Sequence, residues 1–183
     1  MAEETLSEED TKRLYITRAI EGTGWKDCEI NMEFTAGRIS VDSKGRAHRG
    51  DKLKADYFLT YEKHFPLAVV EAKAYDVDVH VGVQQAMEYA KRLDTPFAFA
   101  CNGHDLIEID MLTGMHRQLT MDEFPSRADL WQRFLDESGL PEQDAQVYLY
   151  PYNMGDGKTP RYYQRIIINK TVSEVLKGRQ RLL

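Results

Sequence analysis

Apolar and polar positions alternate along this chain with two distinct periods. Residues 6–21 carry Leu14, Ile16, Ala19 and Ile20 on one helical stripe. Ser7 stands as N-cap, Glu8, Glu9 and Asp10 favour the positive end of the helix dipole, and Gly22-Thr23-Gly24 ends the run. Trp25 is expected to tuck beneath the core. Residues 28–34 and 38–41 read as short strands, followed by a basic, turn-rich segment over 42–52. Two further strands, Leu53–Tyr61 and Leu67–Lys73, are joined by Glu62-Lys63-His64-Phe65-Pro66. Val81–Leu93 reads as a helix stopped before Pro96. Phe97–Cys101 and Leu106–Asp110 form a hairpin about Asn102-Gly103, and Ser126–Ser138 a helix closed by Gly139-Leu140-Pro141. Trp131 and Phe134 lie on its packing face. Residues 147–160, rich in Tyr, Pro and Gly, read as a linker. A last helical pattern over 161–178 sets Ile166, Ile167, Val172, Val175 and Leu176 as its apolar side.

Alternation of strands and helices predicts an α/β fold with a mixed, mainly antiparallel central sheet flanked by helices. The 183 residues suffice for one domain with a short appendage. No apolar run reaches the ~18 residues of a membrane-spanning helix, and the acidic N-terminus lacks the apolar stretch of a secretory signal. Cys28 and Cys101, far apart, are expected to be reduced thiols of a cytoplasmic protein. The histidines occur singly, away from zinc-ligand spacing. A net charge of −6 argues against a protein that coats nucleic acid unaided. It leaves room for a local basic strip, and Lys44, Arg46, Arg49, Lys52 and Lys54, with His48 among them, form one; from charge alone a solvated loop is the favoured reading.

The pattern breaks a rule in the hairpin of residues 53–73. If its centre lies between Lys63 and His64, Asp56 faces Glu71, Phe58 faces Val69 and Thr60 faces Leu67. Like charges set directly opposite destabilise a sheet. Lys73 shares the face of Glu71 by the two-residue period, and Lys54 joins them, whereas Ala55, Tyr57, Leu59, Ala68, Val70 and Ala72 form an apolar face. Two carboxylates at the edge of an apolar sheet suit a hard divalent cation such as Mg²⁺, with Lys73 placed to polarise water or stabilise a phosphate. A structural ion cluster is the other reading of the same spacing.

Glu71-Ala72-Lys73 after an upstream acid, followed on the next helix by Gln85 and Tyr89 one turn apart, resembles the PD-(D/E)xK nucleases, in the RecB-like branch with Gln-x-x-x-Tyr. The longer stretches LKADYFLTYEKHFPLAVVEAKA, QQAMEYAKRL and FAFACNGHDLIEID resemble the N-terminal nuclease domain of type I restriction enzyme R subunits, over about residues 8 to 140. One departure lies in the first helix, with Asp10-Thr11-Lys12 where the family usually shows Glu-Thr/Ser-Arg. The resemblance implies a restriction-endonuclease-like core and Mg²⁺-dependent hydrolysis of double-stranded DNA. It implies that Asp56, Glu71 and the Ala72 carbonyl hold the ion. Lys73 would activate water, and Gln85 and Tyr89 would position the site. The implied partners are DNA and the specificity and methyltransferase subunits.

The tail, TPRYYQRIIINKTVSEVLKGRQRLL, is similar to the entry into the ATP-driven motor of these subunits, with Tyr163-Gln164 as the adenine-reading element. This divides the chain into 1–146 (nuclease), 147–160 (linker) and 161–183 (start of the motor, interrupted), with ATP used by the intact subunit and not by this fragment. Gly157-Lys158-Thr159 imitates a phosphate-binding loop, but Tyr152 stands where its first Gly is required. A nuclease of another defence or repair system, or a non-catalytic docking domain, are the alternatives.

Overall fold

A computed structural model describes residues 6–44, 46–62, 65–150 and 160–179. The sheet has six strands in sequence order: β1 (Ile30–Val41), β2 (Ala47–Tyr61), β3 (Phe65–Ala72), β4 (Phe97–Cys101), β5 (Asp105–Asp110) and β6 (His116–Thr120). All neighbours pair antiparallel except β3 and β4, which run parallel and are connected through α2 (Val83–Leu93). A parallel pair needs such a crossover because the chain must return to the same end of the sheet. The mixed α/β architecture read from the sequence is thus present.

Helix α1 spans residues 8–22, α3 is Arg127–Ser138 and α4 is Tyr162–Leu176. Two cores fill the layers. Ile16, Ile20 and Trp25 join Leu130, Trp131 and Phe134 over Tyr57, Leu59, Ala68, Val70 and Ala72. On the other side Ala86, Tyr89, Ala90 and Leu93 of α2 pack on Phe58, Val69, Ala98, Ala100, Ile107 and Ile109. Every residue of β3 is buried, because strands flank it and helices cover both its faces. Ser126 caps α3 through its side chain, as its position implied, and Gly139 ends it in the left-handed conformation.

Several boundaries differ from the sequence reading. The two short strands expected over 28–41 are one long strand, and residues 47–52 of the expected basic loop continue β2, so the segment is a ribbon with a tip at 42–46. Register in the β2–β3 hairpin matches the expectation at Phe58↔Val69 but slips beyond Leu59, so Thr60 faces Pro66 rather than Leu67; an extra residue in β3 accommodates the slip. Ala55 packs in the second core, away from Tyr57 and Leu59. Opposite this point Glu33, between the pairs Met32↔Tyr57 and Phe34↔Ala55, has φ of 54°, and the ribbon turns its faces there. Strand β6 escaped prediction because His116-Arg117-Gln118-Leu119-Thr120 buries no side chain fully and shows no apolar alternation; its polarity suits a sheet edge.

Residues 142–149, partly within the expected linker, form short helical turns that bury Tyr148 against Phe65 and Phe134. Helix α4 packs Val172 and Leu176 on the first core, whereas Ile167 and Val175 face outward, so its apolar positions do not share one side. The Gly-Lys-Thr at 157–159 lies outside the described residues. Among the described residues no helix is long and apolar enough to cross a membrane.

Candidate active site

Pairing between β2 and β3 ends at Tyr57↔Val70, and the site opens just beyond it. There Asp56 Oδ2 accepts the Ala72 N–H at 2.8 Å, so a carboxylate takes the place of a strand carbonyl. The adjacent residue, Glu71, is only 3% exposed. Its Oε1 accepts Lys73 Nζ at 2.5 Å, while its Oε2 is buried with no hydrogen-bond partner. Lys73 Nζ also donates to Gln85 Oε1 at 3.3 Å, and Gln85 Nε2 donates to Tyr89 Oη at 2.7 Å. Glu71, Lys73, Gln85 and Tyr89 therefore form one hydrogen-bonded chain from β3 to α2, with Asp56 tied to the backbone beside Glu71.

The parallel neighbour fixes this geometry. The Lys73 N–H donates to the Cys101 carbonyl at 2.8 Å, extending the β3–β4 ladder past the strand end. Gly82, at the entry to α2, lies against the pair: a Cβ there would meet Glu71 Cγ and Lys73 Cε at 3.4 Å and Ala100 Cβ at 3.2 Å. Any side chain there would crowd Ala100 and touch both members of the pair.

Burial pushes the Glu71 carboxyl up to about 7; the Lys73 hydrogen bond opposes the rise and the Asp56 charge adds to it. Burial likewise raises the Tyr89 phenol. An acid so placed needs more positive charge than Lys73 alone gives it, and its orphaned oxygen lacks a partner. A divalent ion supplies both, so the donor set fits one. Among the described residues, no three His, Cys, Asp or Glu side chains converge as a ready-made metal cage. Two carboxylates and a backbone carbonyl, the rest being water, fall below that count while still suiting Mg²⁺.

One member went unnoticed in the sequence. Lys12 Nζ lies 3.2 Å from Asp56 Oδ1 and 3.1 Å from Glu9 Oε2. Burial disfavours its charge, but the hydrogen bonds to Glu9 and Asp56 outweigh that and hold it protonated above the usual lysine range. Lysine on a surface helix reads as solvated, and only the departure at Asp10-Thr11-Lys12 hinted at the position. Lys54, expected beside Asp56, instead pairs with Glu33 at 2.8 Å.

Of the basic strip, Lys44 and Arg46 stand exposed near the ribbon tip, with Arg46 paired to Asp42, and Lys52 is exposed farther along β2. The Arg49 side chain lies outside the described residues. Tyr163 and Gln164 sit in the first turn of α4, where Gln164 Oε1 accepts the Arg161 N–H at 2.9 Å and Arg161 donates to Tyr163 Oη at 3.2 Å. A cavity of about 470 Å³ between α2, α3 and α4 includes none of the acidic-site residues. The acidic site lies inside the sheet, where β2 and β3 stop pairing, with Asp56 and Lys73 partly exposed and Glu71 buried.

The fold matches that of a solved fragment of a type I restriction enzyme subunit. The chain's homologues are type I restriction enzyme endonuclease subunits: it is 39% identical over 186 residues to the type I restriction enzyme EcoAI endonuclease subunit of Escherichia coli. That match covers 97% of this chain and 23% of the relative. A solved fragment assigned as the HsdR subunit of a type I restriction enzyme from Vibrio vulnificus YJ016 superposes with a TM-score of 0.82 at 38% identity, over 97% of this chain and 34% of that one. The chain therefore spans well under half the length of each. No family model matches it.

Proposed function

We propose that this chain is the Mg²⁺-dependent DNA-cleaving module of a type I restriction enzyme R subunit. The observation that carries the reading is the buried, unpartnered Glu71 Oε2 beside Lys73 and Asp56, where β2 and β3 stop pairing. Asp56, Glu71 and the Ala72 carbonyl would hold the ion. When bound, it supplies positive charge to the phosphate oxygens at the scissile bond. Lys73 orients the water for in-line attack on the phosphodiester and faces the charge that grows on the phosphate. Gln85 keeps the Lys73 ammonium in place, and Tyr89 keeps Gln85 in place. Lys44, Arg46, Arg49, Lys52 and Lys54 contact backbone phosphates along the ribbon, a sequence-independent grip.

In the intact subunit cleavage follows ATP-driven translocation, and the specificity and methyltransferase subunits choose the site. This agrees with a domain of net negative charge. Residues 161–183 begin the motor module, joined through 147–160 to the nuclease part at 1–146. Tyr163 and Gln164 would read the adenine; Tyr163, though not Gln164, borders a cavity of about 400 Å³ with Arg161 and Lys52. The free thiols of Cys28 and Cys101 agree with a cytoplasmic protein.

The test is DNA cleavage by the reconstituted full complex with Mg²⁺ present or chelated. Glu71→Ala and Lys73→Ala are each expected to abolish cutting while assembly and translocation persist. Cutting at the parent rate by either variant refutes the site.

A further inference from the structure

Lys12 is placed by an unusual backbone feature. Residues Lys12–Ile16 form a π-helical turn inside α1, and such turns recur where a helix delivers a side chain out of its normal phase. Here the lysine is 5% exposed and its ammonium sits on Asp56 Oδ1, a carboxylate 44 residues away in sequence. The other oxygen of Asp56 is engaged by the Ala72 N–H. The Asp56 oxygen left to face a divalent ion is therefore already occupied by a cation.

The same ammonium has a second home. Glu9 Oε2 lies 3.1 Å from Nζ and Glu8 Oε1 3.9 Å, on the solvent side: the Glu9 side chain is 73% exposed. A movement of Nζ toward these two carboxylates frees Asp56 without stripping the lysine of its partners. Two cations a few ångströms apart repel, so an arriving divalent ion favours that movement.

We propose that Lys12 is an internal cation that neutralises Asp56 in the metal-free protein and passes to Glu9 and Glu8 when a divalent ion binds. Metal uptake is then an exchange of cations. The inference rests on the reading of Asp56 and Glu71 as metal ligands. It explains how two neighbouring carboxylates persist within the sheet without metal. It also gives the site a built-in competitor that lowers its affinity.

The test uses the full 183-residue chain without DNA, titrated with MnCl2 while free Mn²⁺ is followed by electron paramagnetic resonance. Lys12→Met keeps the stem and removes the charge, and is expected to tighten Mn²⁺ binding at least about ten-fold. Glu9→Gln, on an exposed turn where folding is not at risk, weakens it several-fold by removing the second home. Combined with Lys12→Met, the Glu9 substitution loses most of its effect, a coupling that a merely nearby charge does not produce. The proposal is overturned by unchanged or weaker binding in Lys12→Met, by no measurable uptake in both that variant and the parent, by parent-like binding in Glu9→Gln, or by an undiminished Glu9 effect in the double variant. Failure of the underlying site reading looks different: Mn²⁺ uptake then survives Glu71→Ala unaltered.

Discussion

Replacing Glu71 by Gln keeps the size and the carbonyl acceptor for Lys73 but removes the ionisable proton. The carboxyl of Glu71 is pushed up to about 7 from the usual 4.5, first by burial. Below the unfolded-state value both folded and unfolded chains hold the proton, and ionisation imposes no penalty. As pH climbs from about 4.5 to about 7 the unfolded chain has released the proton while the native one retains it, so native stability falls. Above that window the loss is constant. With each ten-fold in proton affinity being about 1.4 kcal/mol, it amounts to roughly 3 kcal/mol. Glu71 is almost fully buried, so solvent screening trims this little.

Glutamine in its place never ionises and escapes the loss. Urea unfolding in the presence of a chelator, followed by fluorescence of the buried Trp25 and Trp131, measures the difference between the two proteins. The advantage of Glu71→Gln is expected near zero at pH 4 and about 3 kcal/mol at pH 8. Comparing the two proteins removes the contributions of other carboxylates. Added Mn²⁺ narrows the gap, because only the parent retains both ligand carboxylates. A difference that stays flat with pH, or a variant less stable than the parent at pH 8, refutes the reasoning.

Gly82→Val forces a branched side chain onto Glu71, Lys73 and Ala100; a loss of about 1–3 kcal/mol is expected, with cleavage by the full complex falling far more than translocation. Tyr89→Phe removes the hydrogen bond to Gln85 and is expected to cost about 1 kcal/mol; Mn²⁺ uptake stays at the parent level while cleavage slows several-fold. Arg127→Met strands Glu29, fully buried and bonded to Arg127 at 2.6 Å, and is expected to cost about 3 kcal/mol in urea unfolding without altering Mn²⁺ uptake.

Much of this arrangement was written in local order. Short apolar runs mark β3, β4 and β5, and Ser126 and Gly139 mark the ends of α3. The hairpin places Asp56 near Glu71, and the four-residue interval from Gln85 to Tyr89 puts both on one helix face. Each of these depends on neighbours in sequence, and a period of two or 3.6 residues records them directly. Lys12 could not be read this way: a π-helical turn shifts it out of phase and its partner Asp56 comes from a distant strand. The turn of the ribbon at Glu33, the face taken by Ala55, the polar edge strand β6 and the burial of Tyr148 were likewise settled only by packing. Residue order determined the sheet and one side of the site; tertiary structure alone chose the cation resting on Asp56, because contacts between remote segments leave no periodic trace.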